Sequence, residues 1–164
     1  MMYQKSLPTA SLLAALFLGG CATQQKPSCK VSHHCAPGTV RQVRTTAYTH
    51  TEPGGRRSAS GTRLSNGSVK SAAADWSLFP LGTKFKILST GEIYLVEDYG
   101  SALVGKNTID LYKISRSEMR HWGARMEDIQ ILQWGSPEKS LQVLEPRSRN
   151  PHVRAMIAGL RQQT

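Results

Sequence analysis

The sequence predicts a small, mainly β protein whose strands close into a barrel rather than a sandwich. Three observations favour this class: the strand signals are many and short, turn residues separate them, and one brief helix interrupts them. At 164 residues the chain has room for one domain with flanking segments. We expect the barrel at residues 41–135, preceded by a signal (1–20) and a tether (21–40) and followed by a basic, partly helical tail (136–164).

The N-terminal residues have the pattern of a bacterial lipoprotein signal. Lys5 supplies positive charge, and the apolar run 12–18 is too short to span a bilayer but has the proportions of a secretory segment. The run ends in small residues before Cys21, which would receive the lipid. An ordinary secreted protein or an uncleaved apolar N-terminus is the alternative. We expect a membrane-anchored lipoprotein of the bacterial envelope that faces the periplasm or cell wall.

Charge and cysteine content narrow the expected partners. The net charge of +10 suits a polyanionic partner, or simply a solvated basic face, and export removes nucleic acid from the expected partners. Cys29 and Cys35 are expected to form a disulfide or remain free thiols; a metal site with His33 and His34 is less favoured because adjacent histidines diverge. We expect no metal and no cofactor.

The first half of the barrel is predicted from one strand, one loop and one hairpin. Val40 to Tyr48 is rich in threonine and β-branched residues, which indicates a strand. Thr49 to Lys70 contains several glycine turns and reads as a long loop of the kind that carries function. Residues 84–88 and 93–97 flank a Thr90-Gly91 turn and are predicted to form a hairpin.

The second half begins with a strand at residues 108–112. Period-two alternation places Ile109 and Leu111 on one face and Asp110 and Tyr112 on the other. If the two aliphatic residues enter the core, Asp110 therefore faces a cleft.

The helical signals and the last strand complete the predicted elements. Ser115–Glu118 has capping-box spacing and Gly123 is a suitable helix end. A final strand is predicted around 126–134, with Ile129 and Ile131 alternating against polar neighbours. Four apolar residues near the C-terminus have helical spacing, so we expect an amphipathic helix that packs on the barrel, frays or touches a membrane: Val153, Met156, Ile157 and Leu160.

Three aspartates, Asp75, Asp98 and Asp110, each lie among apolar residues close to glycine turns. A carboxylate among core-forming residues is costly to bury and usually has a function or a partner. Their positions at strand ends suggest one shared polar cleft. A purely structural role, in which they cap turns and accept from backbone N–H groups, is the alternative for each.

These residues carry a resemblance to a known family. The motifs are, in chain order, Thr46-Ala47-Tyr48, Gly61-Thr62, Asp75, Pro80-Leu81-Gly82-Thr83, Asp98, Ile109-Asp110-Leu111-Tyr112 and Trp122-Gly123-Ala124-Arg125. Over about residues 43–134 the chain resembles the 3D domain family, named for its three aspartates. It is similar to the catalytic barrel of membrane-bound lytic transglycosylase A and of stationary-phase muralytic proteins.

The resemblance implies a six-stranded double-psi β-barrel that cleaves the β-1,4 bond between N-acetylmuramic acid and N-acetylglucosamine in peptidoglycan, leaving a 1,6-anhydro product. It implies that Asp110 is the general acid/base, with Asp98 beside it and Asp75 shaping the site. We expect four residues to line the substrate cleft: Thr46, Tyr48, Gly100 and Tyr112. The chain departs from the family at Tyr99 and Ser101, where threonine and glycine are usual, and separates Asp98 from Asp110 by one extra residue.

One carboxyl group suffices for this chemistry. Asp110 would protonate the leaving oxygen and then remove a proton from the C6 hydroxyl as that oxygen closes onto C1. The role requires a pKa well above the usual value of about 3.9, which partial burial and a charged Asp98 would supply. Backbone N–H groups of the Gly100 turn would keep Asp98 ionised.

Several alternatives remain open at the level of sequence. The barrel could bind peptidoglycan without cutting it, or could be an expansin-like or rare-lipoprotein-A-like barrel that prefers peptide-free glycan. His50 is either a second proton carrier or a solvated loop residue. The tryptophans either stack on sugars or, as we favour, pack in the core: Trp76, Trp122 and Trp134. The basic residues of the long loop either bind stem-peptide carboxylates or are solvated: Arg56, Arg57, Arg63 and Lys70.

Overall fold

The computed structural model describes residues 36–52 and 55–162. The predicted signal, the lipidation residue Cys21 and the pair Cys29 and Cys35 lie outside these residues. Six strands form a closed barrel in the order β1-β5-β2-β4-β3-β6. Their bounds are β1 Val40–Tyr48, β2 Val69–Ala74, β3 Lys84–Ile87, β4 Ile93–Asp98, β5 Thr108–Tyr112 and β6 Arg125–Gln133. The mainly β, six-stranded barrel is thus confirmed, while its double-psi connectivity stays a prediction.

Three α-helices follow the later strands: α1 Arg116–Trp122, α2 Pro137–Leu144 and α3 Pro151–Arg161. The Ser115 hydroxyl accepts from the Glu118 backbone N–H at 3.2 Å, and Gly123 ends α1 with a φ of 64°, so the predicted helix bounds are confirmed. Both C-terminal helices begin with proline, whose missing N–H costs nothing at that position. Of the helices in the described ranges, none has the length and apolarity needed to cross a membrane.

The strand predictions hold where β-branched residues are frequent and fail where alanine dominates. β1 has the predicted bounds, and β6 begins one residue earlier than predicted. β2 was missed because alanine has low β propensity. It is a strand because it lies between β4 and β5, where Ala72 and Ala74 have no exposed surface.

The core fills the barrel and continues beneath the C-terminal helices. Ile109 and Leu111 are fully buried, which confirms the predicted inward face of β5. The four predicted apolar residues of α3 belong to the same core and are at most 7 % exposed, so this helix packs against the barrel: Val153, Met156, Ile157 and Leu160. At about 1.5–3 kcal/mol for each large aliphatic side chain, this burial is enough to hold α3 in place.

Candidate active site

Four residues form one row across four neighbouring strands. Thr46 of β1 pairs with Asp110 of β5, Asp110 pairs with Ala73 of β2, and Ala73 pairs with Asp98 of β4. Directly paired residues project from the same face of a sheet. With strands about 4.8 Å apart, the Asp110 and Asp98 backbones lie roughly 10 Å from each other, with only a methyl group between them. We call these four residues the aspartate row.

An irregularity in strand pairing puts Asp98 into this row. Ala72 pairs with Val96, but the next residue, Ala73, pairs with Asp98, so Glu97 is an extra residue on β4. In a regular ladder Ala73 would pair with Glu97, and Asp98 would point to the opposite face. Such bulges re-aim side chains at functional sites, and here the bulge aligns both carboxyl groups.

Asp110 is a half-buried carboxyl group held by one hydroxyl. Its Oδ1 accepts from the Thr46 hydroxyl at 2.7 Å, and no cation within residues 36–52 or 55–162 forms an ion pair with it. Burial is the main cause that raises the pKa of Asp110 to about 6, and the negative charges of Glu52 and Asp98 raise it further. The Thr46 hydrogen bond and the more distant Arg44 act in the opposite direction.

Asp98 accepts two backbone hydrogen bonds. Its Oδ1 lies 2.9 Å from the Ala59 nitrogen and 2.9 Å from the Tyr99 nitrogen. Burial raises the pKa of Asp98 overall, while these two bonds favour the ionised form. The prediction that backbone N–H groups of the Gly100 turn donate to Asp98 was therefore wrong in part. One N–H comes from the long loop and the other from Tyr99, whereas Gly100 precedes a short 3₁₀ turn at Ser101–Leu103.

Asp75 lies outside the aspartate row and is 1 % exposed. Its Oδ1 accepts from the Ser77 backbone N–H at 2.8 Å and from the Ser77 hydroxyl at 2.7 Å. Its Oδ2 accepts from the Gly105 N–H at 2.7 Å. Asp75 thus ties the end of β2 to the segment that leads into β5, the strand that carries Asp110.

Two tyrosines lie beside the row on the same face. Tyr48 pairs with Tyr112, their ring centroids are 5.7 Å apart, and the Tyr112 hydroxyl is 2.9 Å from Nδ1 of His50. The Tyr48 hydroxyl is buried and has no hydrogen-bond partner in the described part of the chain. Burial and the charges of Asp98 and Asp110 raise the pKa of Tyr48, so its hydroxyl remains a proton donor. An unpaired buried hydroxyl costs about 1–3 kcal/mol, a cost that a bound acceptor would remove.

Glu97, for which the sequence predicted no role, clamps the long loop onto the barrel. This carboxylate is 8 % exposed and accepts from the Thr62 hydroxyl at 2.8 Å and from the Ser71 hydroxyl. Thr62 also bonds to Ser58, 2.8 Å away. The clamp holds the loop where the Ala59 N–H reaches Asp98. The one sequence signal for it is the acidic pair at 97 and 98.

Tyr99 contacts the C-terminal helices. Its ring meets Trp76 edge-on at 5.1 Å and lies 6.1 Å from His152, and Arg147 donates to its hydroxyl at 3.5 Å. Arg147 also lowers the pKa of Asp98. Tyr99 therefore lies where the tail docks on the barrel. This residue links the tail to the strand end that carries Asp98.

Two of the tryptophans pack as core residues. Trp76 has no exposed surface. Trp122 is 7 % exposed and has Lys113 4.4 Å and Arg125 3.5 Å from its ring centroid. Trp134 is partly buried and stacks on Phe79 at 6.4 Å. The core interpretation therefore holds for Trp76 and Trp122.

Two cavities lie near the site without reaching the aspartates. One of about 500 Å³ is lined by Lys70, Glu92 and Lys113, whose charges already pair with one another. A smaller cavity of about 130 Å³ is lined by His50 and Tyr112 and so adjoins the aspartate row. By volume alone the larger cavity would be the better candidate for a substrate site. However, the carboxyl group of Asp110, whose pKa is near neutrality, lies beside the smaller cavity.

The fold and the site together define a class of protein: a closed barrel that carries two half-buried carboxyl groups in one cross-strand row. Residues 70–133 match the family model described as 3D domain, so the resemblance is confirmed over that range. All three aspartates lie inside the match, whereas Thr46 and Tyr48 precede it.

The chain is also similar to a solved structure, the E. coli lytic transglycosylase MltA in an apo form of an aspartate-to-alanine variant. The identity is 22 %, the TM-score is 0.38, and the similarity covers 49 % of this chain and 28 % of that one. A search among curated proteins finds no match.

Proposed function

We propose that the protein is a peptidoglycan lytic transglycosylase, which cleaves the β-1,4 bond between N-acetylmuramic acid and N-acetylglucosamine and releases a 1,6-anhydro product. The observation that carries this proposal is the state of Asp110. It has no ion-pair partner in the described residues, is partly open to solvent, and has its pKa raised to about 6. A general acid works best when its pKa lies near the operating pH.

The reaction uses one carboxyl group twice. Protonated Asp110 donates to the glycosidic oxygen, the bond from C1 to that oxygen breaks, and positive charge develops at C1. The resulting Asp110 carboxylate then takes the proton of the C6 hydroxyl while O6 forms a bond to C1. The proton returns to Asp110, no water is consumed, and the product is the anhydro sugar.

The neighbours of Asp110 have supporting roles in this scheme. The Thr46 hydroxyl donates to Oδ1 and so leaves Oδ2 to exchange the proton with substrate. Ionised Asp98, about two strand spacings away, stabilises the positive charge at C1. Tyr48 supplies a donor for a substrate oxygen, since its own hydroxyl has no partner in the described residues.

The test is mass spectrometry of muropeptides after purified sacculi are incubated with the protein. We expect 1,6-anhydro ends with the wild type and none with Asp110→Asn. Asp128→Asn on β6 is the matched control, since it makes the same chemical change away from the row. If Asp110→Asn still formed anhydro products at a rate close to that of the wild type, the proposed role of Asp110 would be refuted.

A second candidate is a barrel that binds peptidoglycan without cleaving it, which the departures at Tyr99 and Ser101 favour. Sacculi would then sediment with the protein, but no anhydro ends would form with any variant. The two candidate functions therefore differ in whether anhydro ends appear in the muropeptide analysis.

We further propose that the protein is a lipoprotein of the cell envelope, which rests on the sequence of residues 1–21. Metabolic labelling with a palmitate analogue is expected to mark the wild type and not Cys21→Ser. Equal labelling of both would exclude lipidation at Cys21.

A further inference from the structure

A small pocket beside the aspartate row carries two arginines. The pocket has a volume of about 130 Å³ and is lined by His50, Arg56, Arg63, Asn66, Tyr112 and Ile114. We call it the arginine pocket. At about 30 Å³ per water it has room for roughly four waters, which suits a carboxylate with its neighbouring peptide unit but not a disaccharide.

The cations of this pocket have no anionic partner in the described residues. Of the four basic side chains in the predicted long loop, Lys70 pairs with Glu92 and Arg57 donates to the Gly61 carbonyl at 3.0 Å. Arg56 and Arg63 form no hydrogen bond or ion pair through their side chains within residues 36–52 and 55–162. Two like charges at one small pocket repel each other, and a bound anion removes that repulsion. The planar guanidinium binds carboxylates through two parallel hydrogen bonds.

The pocket also contains an acceptor that lacks a donor. The Asn66 side-chain oxygen is buried and has no hydrogen-bond partner in the described part of the chain. Buried polar atoms are normally paired, so this oxygen fits a ligand N–H. Two cations beside one acceptor complement a carboxylate beside an amide N–H, which is the chemistry of an acidic peptide. A neutral sugar would need no cations.

The position of the pocket connects it to the cleavage site. Tyr112 lines the pocket and lies two residues beyond Asp110 on the same face of β5, about 7 Å along the strand. A group held there would therefore be attached close to the sugar that Asp110 cleaves. We propose that the arginine pocket binds a carboxylate of the peptide carried by the glycan, so that the enzyme selects peptide-bearing strands over peptide-free ones. This inference rests on the proposed function of the same site.

The first test compares native glycan strands with strands stripped of peptide by an amidase. Wild type is expected to show a kcat/KM at least about tenfold higher on peptide-bearing strands. The double variant Arg56→Gln, Arg63→Gln should lose this preference and cleave stripped strands at the wild-type rate. Arg120→Gln, an exposed position on α1 outside the pocket, is the control and should behave as wild type.

The second test needs no catalysis. NMR chemical shifts of the Asp110→Asn variant are followed during titration with a muramyl dipeptide that ends in a free carboxylate or in the corresponding carboxamide. The carboxylate form should bind at least about tenfold more tightly, and the two arginine substitutions should abolish the difference.

The outcomes separate the two proposals. Equal cleavage of native and stripped strands by wild type, or equal binding of both dipeptides, overturns the arginine pocket and leaves the transglycosylase intact. If no strand is cleaved but the carboxylate dipeptide binds through the arginines, the proposed activity fails and the pocket stands. If Arg120→Gln also lost the preference for peptide-bearing strands, the preference would be a consequence of net charge and not of the arginine pocket. That result would also overturn the inference.

Discussion

Replacing Asp110 with asparagine should stabilise the protein at neutral pH. The folded state raises the pKa of this carboxyl from 3.8 to about 6, so it holds the proton more tightly than the unfolded chain does. A carboxyl group with a raised pKa weakens the fold as pH rises from below 3.8 to above 6, because its ionised form is disfavoured in the native state. At about 1.36 kcal/mol per pKa unit, the cost approaches ~3 kcal/mol at pH 8.

Asparagine has nearly the same shape and keeps an oxygen that can accept from Thr46. Asp110→Asn therefore avoids the cost of ionisation without a large packing change. We expect its free energy of unfolding to exceed that of wild type by about 2–3 kcal/mol at pH 8 and to equal it near pH 3.

The assay is urea denaturation followed by tryptophan fluorescence at a series of pH values. Taking the difference between variant and wild type removes the contributions of carboxylates that do not interact with Asp110. Asp128→Asn is the control variant, since it makes the same chemical change on β6, away from the row. A difference of the same size at pH 3 and pH 8, or none at pH 8, would refute the reasoning about Asp110.

Three further changes test other parts of the structure. Thr46→Val removes a hydrogen bond that lowers the pKa of Asp110. The alkaline limb of the pH profile of kcat/KM, expected near pH 6 in the wild type, should therefore move to higher pH. An unchanged limb would count against Asp110 as the titrating acid. Ala73→Val places two extra methyl groups between the two carboxyl groups and should lower kcat/KM about tenfold or more, and a wild-type kcat/KM would contradict the arrangement of the row. Gly135→Ala would place a Cβ 2.2 Å from the Pro80 carbonyl oxygen. The free energy of unfolding of this variant should therefore fall by at least ~2 kcal/mol. A urea midpoint equal to that of the wild type would contradict this contact.

The elements that sequence predicts well are those whose own residues decide their structure. β1 and β6 are rich in branched residues, and the alternation of β5 correctly assigned Ile109 and Leu111 to the core and left Asp110 outside. β2 owes its structure to neighbours on both sides rather than to its alanines. α2 was foreseen only as part of a partly helical tail.

The site depends more on tertiary structure than the fold does. Three aspartates can be found by inspection, but the extra residue Glu97 that aligns Asp98 with Asp110 is a property of strand register. The charge of Glu52 and the N–H of Ala59 come from a loop far away in sequence, and no local pattern predicts their arrival.

The interpretation of Tyr99 shows the same limit. In the sequence, Tyr99 stands out only as a departure from the family that the chain resembles. In the structure its ring lies against Trp76 and near His152 of the tail, so its contacts explain the substitution as a docking residue. That explanation requires the position of α3, which only the folded structure provides.

The central claim is that Asp110 carries a proton close to neutral pH, and the most direct measurement is a carbon-13 NMR titration of its side-chain carboxyl. We predict a midpoint near pH 6, and a lower one in Asp98→Asn, because the negative charge of Asp98 raises the pKa of Asp110. A midpoint near 4 in the folded wild type would contradict the acid/base role of Asp110.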